Sequence, residues 1–343
     1  MRLAIMGAGA VGRAVAELAP EYGHTVVALG DSSGAVIQSA DDDAFGMSAD
    51  DDGSRMSADD HASGSSAAPE GLDVEAALSR KREQGTVGVA EPESVLESGY
   101  DVLVEATPTT LGEAEPGFGH VKRALERDRH VVLANKGPVA ERYDDVMALA
   151  ERSDGAVRFE AAVGGAIPII STIEGLGPSH VEAVRGVLNG TANFLLTRMA
   201  AEGLAYEDVL AEAQDLGVAE ADPSFDVEGT DAALKCVILA NVLAGGGFEL
   251  ADATVEGIAG LPTSALEVAA EDGRTIRLIG EVTPEGVKVG PRLVPEHDTL
   301  AVTGTMNIVQ FETEYAGRLN ISGRGAGGME TASAVLADVS RLA

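Results

Sequence analysis

Five lysines in a chain of 343 residues can be weighed one by one, and two of them stand where chemistry could use them. Lys136 closes the apolar run HVVLANK, at the carboxyl end of an expected strand, the edge at which open parallel sheets place ligands. Lys235 stands in DAALKCVILAN one helical turn after Asp231, so acid and ammonium share a face. On a wet helix such a pair is worth little. Here Leu234, Val237, Ile238 and Leu239 make the helix largely apolar, so Lys235 is expected to border a buried space. A lysine partly withdrawn from water exchanges its proton more readily and can act as an acid near neutral pH. Just before this helix, Glu220-Ala221-Asp222-Pro223-Ser224-Phe225-Asp226 sets three carboxylates in seven residues, acceptors suited to a substrate ammonium. In so acidic a chain, plain solvated surface is the alternative reading of that loop.

A second constellation opens the chain. The strand-like RLAIM runs into Gly7-Ala8-Gly9-Ala10-Val11-Gly12 and then into helical AVAELAPEYG, the context a GxGxxG pattern needs to mean anything. Gly7 permits a tight turn, Gly9 lets the backbone approach a pyrophosphate, and Gly12 lets the helix pack on the sheet. The freed N–H groups and the helix dipole then hold the anion. A dinucleotide is the expected ligand. Asp31 ends the next strand, nineteen residues after Gly12, where an acid accepts hydrogen bonds from the adenosine ribose and repels a 2′-phosphate. Arg55 is the one cation nearby in sequence that could take such a phosphate, so the expectation leans to NAD over NADP. A capping or solvated Asp31 is the plain alternative.

The elements that must position these residues alternate. YDVLVEAT and HVVLANKG read as strands, LDVEAALSRKREQG and VKRALERD as helices, with another helix over 141–152. This is the rhythm of an α/β fold with a doubly wound parallel sheet. From Val157 onward a second, α+β region carries the acidic loop, the Lys235 helix, strand signals at VKVGPRLVP and NIVQFET, and a closing Gly-rich turn and helix. Between about 39 and 71 the chain turns to Asp, Ser and Gly around a repeated Met-Ser-Ala-Asp-Asp, an expected disordered insertion without chemistry.

Composition narrows the partners. Fifty-six acidic residues against twenty-four basic ones give a net charge of −32, which repels nucleic acid and anionic membranes and suits a hydrated surface in molar salt. One cysteine, Cys236, excludes a disulfide framework and reads as a small core residue; six scattered histidines offer no zinc spacing. No signal segment and no run of about 18 apolar residues is visible, so a cytoplasmic protein is expected.

Taken together, the chain resembles the homoserine dehydrogenase family over nearly its whole length apart from the acidic insertion. The likeness rests on GAGAVG, Ala134-Asn135-Lys136, Glu160 with the following VGGAIPII, Asn189-Gly190-Thr191, Glu220-Ala221-Asp222-Pro223, and Asp231 with Lys235. The string from Glu220 to Lys235 is the most diagnostic. The resemblance implies NAD(P)-dependent, reversible reduction of L-aspartate 4-semialdehyde to L-homoserine, within threonine and methionine synthesis. It makes Lys235 the proton donor and Lys136 an aid to binding or proton relay. Glu220, Asp226 and Asp231 then orient the substrate beside Asn189, Gly190 and Thr191. Thr107 and Gly325, the latter in the turn Gly323 to Gly328, join the expected cofactor contacts. A monovalent cation, Na+ or K+, is expected on Glu160 and the carbonyls of Val163, Gly165 and Ile167. The family's habit suggests a homodimer, and the regulatory domain that some members append is not expected here. The expected division is 1–136 with 310–343 for the cofactor and 137–309 for substrate and dimerisation. Two other readings stay open: another Rossmann reductase of a small amino or sugar substrate, or a catalytically silent NAD-binding sensor.

Overall fold

β1 (Arg2–Met6) takes the middle of a sheet because Leu3, Ala4 and Ile5 are apolar on both faces, and all three are fully buried. The computed structural model describes residues 1–38 and 71–342. Within them the first sheet also holds β2 (Thr25–Asp31), β3 (Gly34–Ile37), β4 (Val102–Glu105), β5 (His130–Leu133) and β6 (Val157–Arg158), in the order β3-β2-β1-β4-β5-β6. Every pairing is parallel except that of β3, which returns antiparallel on β2. The strand order reverses between β1 and β4, the topological switch point at which such sheets bind ligands. Helices α1 (Ala10–Leu18), α2 (Val74–Gln84), α3 (Gly117–Leu125), α4 (Gly137–Glu141) and α5 (Tyr143–Ala150) make the crossovers.

Two short helices, α6 (Glu160–Gly164) and α7 (Ile170–Leu176), lead into the second sheet. It is built from β7 (Val181–Val187), β8 (Thr254–Val255), β9 (Arg274–Thr283), β10 (Gly286–Pro295), β11 (Met306–Thr313) and β12 (Gly317–Arg324), ordered β12-β11-β7-β9-β10-β8. One face is covered by α8 (Gly190–Glu202), α11 (Thr230–Ala244) and α12 (Thr263–Glu271), while α9 (Tyr206–Asp215) and α10 (Ser224–Val227) connect them. On the other face Val187, Ile279, Val294, Leu300 and Ile308 form a small apolar cluster. Beside it Arg318, Glu312, Arg185, Glu281 and Arg292 alternate in sign on five successive strands, paired at 2.7–3.5 Å. The final helix, α13 (Gly328–Ser340), returns to pack along α1. One main core runs from β4 and α3 through α7 to α11, so the two sheets share an interior.

The α/β class and the doubly wound sheet agree with the sequence reading. The sheet pairing divides the chain elsewhere than at 136 and 310. β6 extends the first sheet to residue 158, and β11 and β12 belong wholly to the second, leaving only α13 to return. Strand partners are nonlocal, so NIVQFET announced a strand without saying which sheet would take it. β3, β9 and β12 gave no signal that the sequence reading used; β9 buries Arg277 among its apolar residues, which disguises its pattern. The acidic insertion lies outside the described residues, apart from Gly71.

Candidate active site

At the switch point the glycines form a tight turn between β1 and α1. Gly7 adopts φ +106°, and a Cβ there would fall 2.3 Å from the Ala106 carbonyl oxygen of the neighbouring strand exit. A Cβ on Gly12 would collide with the Gly7 carbonyl, whereas one on Gly9 would meet no described residue within 4 Å beyond its chain neighbours. Gly9 caps α1 and Gly327 caps α13, and neither glycine brings a side chain to cap its helix. The two starts are neighbours, since a Cβ on Gly328 would lie 3.0 Å from the Ala10 carbonyl. Orphan amides of Ala10, Val11 and their neighbours thus border an open glycine turn, a cradle that fits a pyrophosphate. Gly325 lies against this end too, packed between Asn307 and Gly165.

Asp31 ends β2 as the sequence led one to expect, but its carboxylate is occupied. Its Oδ1 accepts from Ser33 N at 2.7 Å and Gly34 N at 3.0 Å, shaping the turn into β3. Its Oδ2 lies 2.7 Å from Lys81 Nζ, an ion-pair distance although the pair lacks hydrogen-bond alignment. Arg55 lies outside the described residues. The cation that the fold brings to Asp31 is Lys81 of α2, which sequence reading passed over because the whole insertion separates the two.

The lysine constellation forms where α11 meets α4. Asp231 and Lys235 are both buried on α11. Lys235 Nζ donates to Asp231 Oδ2 at 2.7 Å and to the Leu188 carbonyl at 2.7 Å. Lys136 Nζ approaches the other oxygen, Asp231 Oδ1, at 3.4 Å. Asn189 donates through Nδ2 to Asp231 Oδ2 at 2.9 Å and to Asp226 Oδ1 at 2.6 Å, while its own Oδ1 caps α8 by accepting from Ala192 N. Burial pushes the Asp231 carboxyl up, but the two ammonium groups and the bonds from Lys235 and Asn189 outweigh it and hold the group far below the usual carboxylate range. One carboxylate therefore gathers both lysines, residues ninety-nine positions apart.

The other expected residues divide. Gly190 passes so close to Thr305 that a Cβ would lie 2.9 Å from its carbonyl, and Thr191 Oγ1 donates to the Val218 carbonyl at 3.2 Å, tying α8 to the acidic loop. Glu220 stays on that loop, exposed, its main-chain carbonyl accepting from Gln214 at 3.1 Å; it is not drawn into the Asp231 cluster. Cys236 is buried against Gly280, its thiol pushed up to about 12 chiefly by burial, as a packing residue would be. Thr107, expected as a cofactor contact, and Asn135, quoted in the Ala134-Asn135-Lys136 motif, both turn polar atoms inward to Glu105, which sequence reading did not single out.

Glu160 has a different task from the one expected. Its carboxylate accepts from Ile169 N at 2.7 Å, Ile170 N at 2.8 Å and Ser171 N at 2.8 Å, so it closes the start of α7. Asp338 of α13 in turn accepts from Glu160 N at 2.9 Å. A side chain so engaged does not fit a cation ligand. The turn itself is where it was expected: Gly165 has φ +56° and lies against Gly325.

Comparison with known proteins follows the same lines. The homoserine dehydrogenase family model matches residues 168–340. A homoserine dehydrogenase of Methanocaldococcus jannaschii is 38% identical over 99% of this chain and 97% of its own length. An NAD(+)-dependent homoserine dehydrogenase of Pseudomonas canavaninivorans is 38% identical over 74% of each. Among solved structures, a putative homoserine dehydrogenase of Archaeoglobus fulgidus superposes with a TM-score of 0.85 at 39% identity, covering 100% of this chain and 99% of that one. A hyperthermophilic archaeal homoserine dehydrogenase in complex with NADPH superposes at 0.80 with 27% identity, over 99% and 97% of the two chains.

Proposed function

The chain belongs to the homoserine dehydrogenase family, and from that premise we propose how its residues carry the NAD(P)-dependent, reversible reduction of L-aspartate 4-semialdehyde to L-homoserine, a step of threonine and methionine synthesis. When bound, the nicotinamide supplies or accepts the hydride. Lys235 gives its proton to the aldehyde oxygen as that oxygen takes up charge. Two of its three N–H groups point to Asp231 and Leu188, which aims the third. Asp231 keeps the ammonium oriented and balances its charge. Lys136, on the opposite oxygen of Asp231, steadies that carboxylate and relays the proton. Asn189 and Asp226 meet the polar end of the amino-acid substrate, and Glu220 reaches it only by movement of its loop.

The single observation that carries this reading is the sharing of one buried carboxylate by Lys136 and Lys235. It is tested by following nicotinamide absorbance in molar KCl with homoserine and either NAD+ or NADP+. Lys235→Ala is expected to lose on the order of 10²- to 10⁴-fold in kcat while binding cofactor normally. Turnover within tenfold of wild type would remove Lys235 from the mechanism.

Either nicotinamide cofactor fits the reading, and Lys81 at the ribose end weakens the lean to NAD. Any Na+ or K+ would rest on the carbonyls of Val163, Gly165 and Ile167, and the last already accepts from Ile169 N at 2.9 Å. No step is routed through such an ion. A homodimer in a salt-rich cytoplasm completes the proposal, its mass to be read by light scattering in the same buffer.

A further inference from the structure

Glu105 ends β4 fully buried, at the edge of the sheet where the ligand loops begin. A carboxylate without water is costly unless its lone pairs are met. Here they are met by two loops and a helix. Oε1 accepts from Thr107 N at 3.0 Å, from Thr107 Oγ1, and from Asn135 Nδ2 at 3.3 Å. Oε2 is 2.7 Å from His120 Nδ1, donated from α3 behind the sheet. Asn135 carries the arrangement onward, since its Oδ1 accepts from Gly137 N at 2.9 Å, and Lys136 stands between these bonded residues. Gly117, also on α3, leaves the loop no slack, because a Cβ there would lie 2.5 Å from Asn135 Nδ2.

We propose that Glu105 and His120 form a positioning pair that fixes the strand exits bearing Thr107 and Lys136, so that Lys136 stays on Asp231 and the β4 exit keeps its place beside Gly7. Neither residue touches the substrate. An apolar pair of the same volume would fill this space without orienting anything; a buried hydrogen-bonded carboxylate with donors from three segments fixes their relative positions. Removing His120 strips Oε2 of its donor, and the uncompensated carboxylate turns or draws in water. Its hold on Thr107 and Asn135 then loosens. The Lys136 ammonium, 3.4 Å from Asp231, is displaced with them.

Three variants of the full-length chain in molar KCl test this. Asn places an amide N–H where the histidine Nδ1 stands, Gln displaces it, and Leu removes it. His120→Leu and His120→Gln are expected to lower kcat with homoserine about 10- to 100-fold, with KM within about threefold of wild type, because ångström-scale misplacement acts on the transition state. They are also expected to weaken NADPH binding, read by nucleotide fluorescence, about tenfold. His120→Asn should recover both. In a Lys136→Ala background, His120→Leu should cost less than about twofold further in kcat, since the ammonium it positions is gone.

The inference rests on the dehydrogenase reading, and the two can fail separately. A wild-type protein inert towards homoserine, with NADPH affinity lost in His120→Gln and regained in His120→Asn, would sink that reading and leave the pair standing. Wild-type kcat and affinity in His120→Gln, or losses that His120→Asn fails to restore, would overturn the pair. Should His120→Leu fail to fold, the contrast between Asn and Gln still decides.

Discussion

Asp231 and Lys235 were legible as a pair because helical periodicity is local: four residues apart on an apolar helix, they had to face one way. That Lys136 would meet the same carboxylate was not legible, since only the closing of α4 onto α11 brings it within 3.4 Å. Asp31 shows the opposite case. Its position at the end of β2 was read correctly, yet its partner Lys81 lies fifty residues on. A 2′-phosphate arriving there would compete with Asp31 for the Lys81 ammonium, and a charge-assisted bond of this kind contributes about 1.5–3 kcal/mol. Lys81→Ala is therefore expected to lower kcat/KM for NADP+ about 10- to 100-fold while that for NAD+ moves less than about threefold. Steady-state kinetics with both cofactors checks it; an unchanged ratio would leave Lys81 a purely structural partner of Asp31.

Among the elements, α7 and α13 are bound through one acid pair. Glu160 was expected as an ion ligand from the family resemblance, and an acid before a Gly-rich turn looks the same in sequence whichever partner it meets. The amides that claim it come from residues nine to eleven positions later, at the start of a helix that folds back over it. Asp338, which holds the Glu160 amide, has its carboxyl pushed up to about 6, first by burial and then by the Glu160 carboxylate, against the pull of the Glu160 N–H bond and Arg341. A folded-state value above the unfolded 3.8 means the fold binds the extra proton between those values. The charged form thus costs stability as pH rises from about 4 to about 6, and the full cost, on the order of 3 kcal/mol, persists above. Asp338→Asn keeps an oxygen for the Glu160 amide and cannot ionise. Relative to wild type, it should gain stability on going from pH 4.5 to 7.5, measured by denaturant unfolding at fixed salt. A stability difference that stays constant with pH would show that Asp338 does not titrate in this range.

At the scale of the molecule, the sequence announced one doubly wound sheet, an α+β region after it and a surface of one sign, and the last has consequences that no single contact shows. Of the five lysines, Lys81, Lys136 and Lys235 each lie against an acid that is buried, which is what scarcity of the residue suggested for the last two. With so few cations, a net charge of −32 has little internal compensation, and self-repulsion opposes the folded state. Salt relieves this within a definite range, for the screening length shrinks from about 10 Å at 0.1 M to about 3 Å at 1 M and changes little afterwards. The melting temperature is therefore expected to climb steeply up to about 1 M KCl and then flatten, with choline chloride giving nearly the same curve. A rise that continues linearly to several molar would instead mark ion exclusion and strengthened apolar burial as the cause. If KCl exceeds choline chloride at equal ionic strength, a cation bound by the carbonyls of residues 163–167 gains support, because screening alone does not distinguish the two salts. Identical curves would confine the role of salt to screening, and a melting temperature indifferent to salt would sink the repulsion argument altogether.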